Sequence, residues 1–212
     1  MGNRAFITSE KKDLGIYLHW NGGRDSVNAF LKYCELRRFR SPEVDGYGWA
    51  RLAQVVANFF GRQGLSIGIE KYTSDEDMMC MADDNGVYVI KDWEIVDRVY
   101  PWSGFEEQDV YDLGEMLVEI DNAQPEDHRL GHDFLDAEIV PAKDLRVNDT
   151  VFVTSFDGWH KQTVVEIGGE RIVNGQNVMG LPMIDLCPSN DWVDARDNIN
   201  NYLTEPTYRR AS

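Results

Sequence analysis

The chain has few cysteines, few histidines and no apolar run of the roughly 18 residues a membrane helix needs. Its three cysteines, Cys34, Cys80 and Cys187, are widely spaced, odd in number and without a CxxC pair. That argues against a disulfide framework or a zinc knuckle and favours a reducing, cytoplasmic compartment. The N-terminal MGNRAFITSEKKD lacks the apolar centre of a signal peptide. GxSxG, HExxH, GxGxxG and GxxxxGK[ST] are all missing, so no familiar nucleophile, zinc or phosphate-loop motif is present.

Basic residues are also scarce. Lys and Arg number 21 against 37 Asp and Glu, a net charge of −16. The imbalance is local. Residues 1–63 carry 10 basic and 6 acidic groups (net +4), residues 64–140 carry 4 and 21 (net −17), and residues 141–212 carry 7 and 10 (net −3). An acidic middle third repels phosphate and attracts basic surfaces, so direct nucleic-acid binding is not expected. The plainer reading is a solvated acidic face that keeps the protein soluble.

With 42% hydrophobic and 11% aromatic residues, the chain can bury a core. Arg4–Thr8 and Leu14–Trp20 read as a hairpin, with Leu14, Ile16, Leu18 and Trp20 on one face. After the Asn21-Gly22-Gly23 turn, Val27, Phe30, Leu31 and Cys34 recur at helical spacing, and a second helix is expected over Tyr47–Phe60. Leu65–Tyr72, Met78–Ala82, Val87–Ile90 and Trp93–Val99 read as strands, with Asp84-Asn85-Gly86 as a hairpin turn. A third helix is expected over Gly104–Ile120, with Val110, Leu113, Leu117 and Ile120 as its stripe. From Glu138, short strands near Val151, Gln162–Ile167, Glu170–Val173 and Leu181–Leu186 alternate with turns, including Gly168-Gly169. That texture suggests a small SH3-like barrel over 138–190. The expectation is an α+β fold: an antiparallel sheet of hairpins with two or three helices over 1–137, the barrel, and a polar tail over 191–212.

Four places invite chemistry. Glycines before a helix leave backbone N–H groups free, making Asn21, Gly22, Gly23, Arg24 and Ser26 a candidate anion site for a phosphate-bearing ligand such as a nucleotide. Asp25 opposes an anion unless it serves as the cap, and a plain turn with glycines at positive φ explains the same residues. His128 and His132 stand four apart, but Gly131 and the loop-like surroundings speak against a zinc site, and no metal or cofactor is expected. Cys34 falls on the apolar face of its helix, and the acids beside Cys80 disfavour a thiolate, so no catalytic residue is assigned.

The fourth is the acidic middle. Asp75, Glu76, Asp77, Asp83 and Asp84, then Glu106, Glu107, Asp109, Asp112, Glu115 and Glu119, could present charge at intervals like a phosphate backbone. Such a surface would dock on the basic groove of a nucleic-acid-handling protein. The acids are spread rather than convergent, which disfavours a cation site.

The stretches YLHWNGGRDSV (17–27), DGYGWARLAQVVANFFG (45–61), DNGVYVIKDWEIVDR (84–98) and VMGLPMIDL (178–186) resemble a family of small proteins encoded by bacteriophages and prophages. The resemblance implies a role inside a bacterial host cell, in host takeover, counter-defence or accessory replication. It carries no site residues. The leading expectation is a non-enzymatic binding protein, an inhibitor of a host defence or nucleic-acid-binding protein. Behind it stand a nucleotide-signal binder or hydrolase using the glycine turn, and a structural or assembly module.

Overall fold

The computed structural model describes residues 2–61, 66–100, 110–155, 158–173, 176–177 and 207–211. The chain divides into two compact units, Met1–Leu130 and Gly131–Ser212.

The first unit is built on a five-stranded sheet in the order β3-β2-β1-β4-β5. Strands β1 (Ala5–Ser9) and β2 (Leu14–Leu18) form the expected hairpin, and β3 (Ile67–Lys71) adds antiparallel to β2. Strand β4 (Val87–Lys91) pairs with β1 in parallel, so the sheet is mixed rather than a row of hairpins. The reason is the connection from β3 to β4, which passes β2 and β1 through a helix before β4 pairs beside β1. Strand β5 (Glu94–Val99) follows β4 through a two-residue turn in which Asp92 and Trp93 both have positive φ, 48° and 67°. Those angles suit the twist of a tight hairpin.

Every residue of β1 is buried, because the sheet is covered on both faces. Ile7, Ile16, Leu18, Tyr88 and Ile90 are fully buried and, by register, share one face. Helices α1 (Arg24–Leu36) and α2 (Gly46–Phe60) pack on that side, and Tyr88 Oη donates to Gly22 O at the entry to α1. Val27, Phe30, Leu31 and Cys34 of α1 are at most 1% exposed, as their spacing predicts. Each such buried side chain contributes about 1.5–3 kcal/mol through burial. Trp20 does not join this face: β2 ends at Leu18 and Trp20 is 43% exposed.

Phe6 and Val87 point to the opposite face, where they cluster with Tyr72, Met78 and Ala82. Met78 belongs to helix α3 (Asp75–Met81), not to the strand its apolar run suggested. Ser74 caps it by accepting from Asp77 N, and three acids stand in its first turn. A Ser74 side-chain cap with a favourable dipole outweighs the strand-like Met-Met-Cys-Met. The Asp84-Asn85-Gly86 turn therefore joins a helix to β4 and is not a hairpin.

Helix α4 (Leu113–Ala123) packs against α1 and α2. It starts at Leu113 because Asp112 is its N-cap, accepting from Glu115 N at 3.1 Å. Val110 and Leu113 are exposed, and the buried stripe is Met116, Leu117 and Ile120. The expected start of this helix, over 104–109, lies outside the described residues.

The second unit opens with a one-turn helix α5 (His132–Leu135), whose Phe134 is buried against Phe152 and Trp159. Strands β6 (Glu138–Pro141), β7 (Thr150–Ser155) and β8 (Gly158–Thr163) follow. Strands β9 (Val165–Ile167), β10 (Glu170–Val173) and β11 (Gln176–Asn177) form a separate three-stranded sheet, turning at Gly168-Gly169. Strand β12 (Thr207–Arg210), from the polar tail, inserts between β6 and β7. Val140, Ala142, Leu145, Val151, Val164 and Val173 make the core.

The α+β class holds, with two differences. The described residues form five helices rather than two or three. Their strands make open sheets, none closed into a barrel, because β12 joins β6 to β7 while β9–β11 pair only among themselves. The expected last strand, Leu181–Leu186, lies outside the described residues.

Candidate functional site

The acids of the middle third are divided by the fold. Those of α3 and its C-terminal turn lie on the Phe6 side of the sheet, and those of α4 lie in the helical layer on the other side. The first group is largely engaged at home. Asp75 bonds Lys12 Nζ at 2.8 Å and the Tyr72 hydroxyl, and these two donors hold its carboxyl below the usual range. Asp77 is held low in the same way by Ser74 and Thr73. Arg4 bridges Asp83 and Asp84. Burial pushes the Asp84 carboxyl up, but the Arg4 side-chain and backbone bonds outweigh it and leave it low.

On α4, Asp112 is spent as the cap. Glu115 and Glu119 remain, both exposed, one turn apart, on a helix with no basic residue. With Glu76 on α3, they are exposed carboxylates that form no ion pair among the described residues. Glu106, Glu107 and Asp109 fall outside the described residues. No group of three or more His, Cys, Asp or Glu among the described residues could hold a metal ion.

The glycine turn is assembled differently from its sequence reading. Asn21, not a glycine, takes the positive φ, 53°, while Gly23 sits at −61°. Gly22 is there for close approach: a Cβ would lie 2.6 Å from Asn3 O and 2.7 Å from Ala5 Cβ. Gly22 N donates to Asn3 O. Gly23 is the N-cap of α1 without a side-chain bond. Asp25 Oδ1 accepts from its neighbour Ser26 N at 2.6 Å, and its Oδ2 accepts from Val110 N and Tyr111 N at 2.7 and 2.9 Å. A carboxylate thus already stands at the helix start, where an incoming anion would have to compete with it. Arg24 is exposed, Ser26 is buried, and Asn21 Nδ2 lies 3.5 Å from Ser26 Oγ.

The cysteines and histidines do not combine. Cys34 is fully buried, which pushes its thiol well above the ordinary range. Exposed His19 instead meets the Tyr17 hydroxyl through Nδ1 at 3.1 Å. His128 ends a 3-10 turn over Glu126–His128, and His132 begins α5.

A buried polar network was not foreseen. Tyr33 Oη donates to Asp121 Oδ1 at 2.7 Å, and Leu130 N donates to the same oxygen at 2.7 Å. Gln124 Nε2 bonds Val55 O and Ile120 O, and its Oε1 accepts from Asn58. These groups tie α1, α2 and α4 together. A faint signal existed: Asp121 follows Leu117, and Gln124 follows Ile120, each at the helical spacing of four.

By fold and surface, this is an α+β protein with an acidic exterior and no metal cluster or thiolate–imidazole pair among its described residues. No helix among them is long and apolar enough to cross a membrane. Comparison with family models, curated proteins and solved structures gives no match.

Proposed function

We propose that the protein is a non-enzymatic binding protein that docks on a basic surface of a host defence or nucleic-acid-handling protein, with the outer face of α4 as the contact. The supporting observation is the Glu115–Glu119 pair. Like charges one turn apart weaken a helix by a few tenths of a kcal/mol. Here no cation on α4 relieves them, whereas Asp75, Asp83 and Asp84 around α3 are matched by Lys12 and Arg4. An unrelieved negative ridge becomes favourable when a positive partner covers it. It attracts that partner over a range set by salt. The resemblance to phage proteins points to a partner in the host.

Because the acids lie on two sides of the sheet, docking uses one side at a time, and a continuous imitation of a duplex backbone is not required. The test is retention of host proteins on the immobilised chain across a salt series, with Glu115→Gln/Glu119→Gln beside the parent. A partner with a basic surface, lost from the variant and released by salt, is the expected result. Equal, salt-insensitive retention by both proteins would exclude the reading.

A further inference from the structure

The chain has a second charged feature, of opposite sign. Where the C-terminal end of α1, the middle of α2 and the Glu126–His128 turn meet, there is a cavity of about 120 Å³. Tyr33 and Gln124 are among the residues that line it, along with Phe39, Arg37, Arg51 and His128. The guanidinium carbons of Arg37 and Arg51 lie 5.5 and 5.4 Å from the centre of the same Phe39 ring.

Two cations held near one ring repel each other. Their neighbours have found carboxylates: Lys32 pairs with Glu35 at 2.6 Å and Arg40 with Asp45 at 2.7 Å. Arg37 and Arg51 form no ion pair among the described residues. The C-terminal dipole of α1 accounts for Arg37, which caps that helix. It does not account for Arg51, in the second turn of α2. Among the described residues Arg51 bonds a neutral amide, Gln54 Oε1, at 2.9 Å. The Tyr33 hydroxyl and the Gln124 side chain are committed to Asp121, Val55, Ile120 and Asn58, so their polar atoms already have partners. The charge of Asp121 is stabilised by Tyr33 and Leu130 N–H.

We propose that this cavity binds a phosphate group, with Arg37 and Arg51 taking its oxygens and His128 at the rim. Guanidinium forks match the geometry of phosphate oxygens, and Phe39 keeps both forks oriented. A cavity of about 120 Å³ has room for a phosphate group. The ligand is inorganic phosphate or a small phosphate ester. This site is separate from the acidic ridge and from the glycine turn, and it stands or falls without them.

Titration calorimetry of the full chain with inorganic phosphate and with adenosine monophosphate tests it. Binding of either probe, weakened ten-fold or more by Arg51→Gln and by Arg37→Gln, and unchanged in Arg24→Ala and Glu115→Gln/Glu119→Gln, is the expected result. Preference for one probe tells free phosphate from ester. Arg51 is exposed, so its variant reports on binding even where Arg37→Gln lowers stability. Absence of binding to both probes, binding that survives the double arginine variant, or binding lost in Arg24→Ala overturns the assignment.

Discussion

Tyr33 and Asp121 lie 88 positions apart in the chain and meet in a 2.7 Å hydrogen bond inside the helical layer, at 1% and 2% exposure. Burial first, then this bond, raises the Tyr33 hydroxyl far above its ordinary range, so it stays a donor at any physiological pH. The contact couples α1 to α4 through a carboxylate that has little access to water.

Tyr33→Phe removes the donor and leaves Asp121 short of a partner. The expected loss is about 2–3 kcal/mol, the cost of an undersatisfied buried charge. Tyr33→Phe/Asp121→Leu removes the carboxylate as well and recovers part of that loss. Urea unfolding of the two variants and the parent checks this. A double variant no more stable than Tyr33→Phe would mean that Asp121 contributes by other contacts.

Gly15 sits under the ring of Phe6. A Cβ there would lie 2.3 Å from Ile7 O and 2.4 Å from Phe6 Cε1. Gly15→Ala is therefore expected to destabilise by about 1–3 kcal/mol through overpacking. Gly46, at the start of α2, has nothing within 4 Å of its Cβ position. Gly46→Ala is expected to be neutral or to stabilise by up to about 1 kcal/mol. Thermal unfolding of the pair separates packing from propensity.

These contacts mark what the sequence can disclose. Val27, Phe30, Leu31 and Cys34 announce α1 because one side of the helix faces a sheet, and a single period records that. Helix α3 was hidden because Met78–Ala82 is short and apolar, and its N-cap, Ser74 accepting from Asp77 N, carries the information instead. Strand β12 was hidden because its neighbours, β6 and β7, lie more than fifty positions upstream, and Tyr208 stands alone in a polar tail. The acidic ridge was legible as composition, but its division between two sides of the sheet depends on the crossover to β4. Arg37 and Arg51 gave no motif, because only the packing of α1 on α2 brings both to Phe39.

Arg4 and Asp84 supply the pH dependence. The Asp84 carboxyl is held below its ordinary 3.8, against the upward push of burial. A carboxyl depressed in the folded state stabilises above its unfolded value, and that contribution disappears as pH falls through the folded value. Asp84→Asn is thus expected to be less stable than the parent by about 1 kcal/mol at neutral pH. The gap should close in acid. Urea midpoints at pH 7 and at about pH 2.5 check the sign. A gap that widens in acid would contradict the Arg4 pairing.

Cys34 and Cys80 differ in burial, and that decides which of them can react. Cys34 is fully buried on α1 and Cys80 is exposed on α3. The thiolate is the reactive species, and burial opposes its formation at Cys34. In a Cys80→Ser/Cys187→Ser protein, Cys34 is the single thiol. Its labelling by a disulfide reagent is expected only through opening of the α1 layer. The rate should therefore rise with urea in step with unfolding. Tyr33→Phe should accelerate it as well, because the same layer is loosened. In the parent, Cys80 should label without urea. Rapid labelling of Cys34 in the folded protein would show a path to solvent along α1 and reopen thiol chemistry at that helix. Slow labelling leaves Cys34 as a packing residue, placed by the same apolar period that buries Phe30 and Leu31.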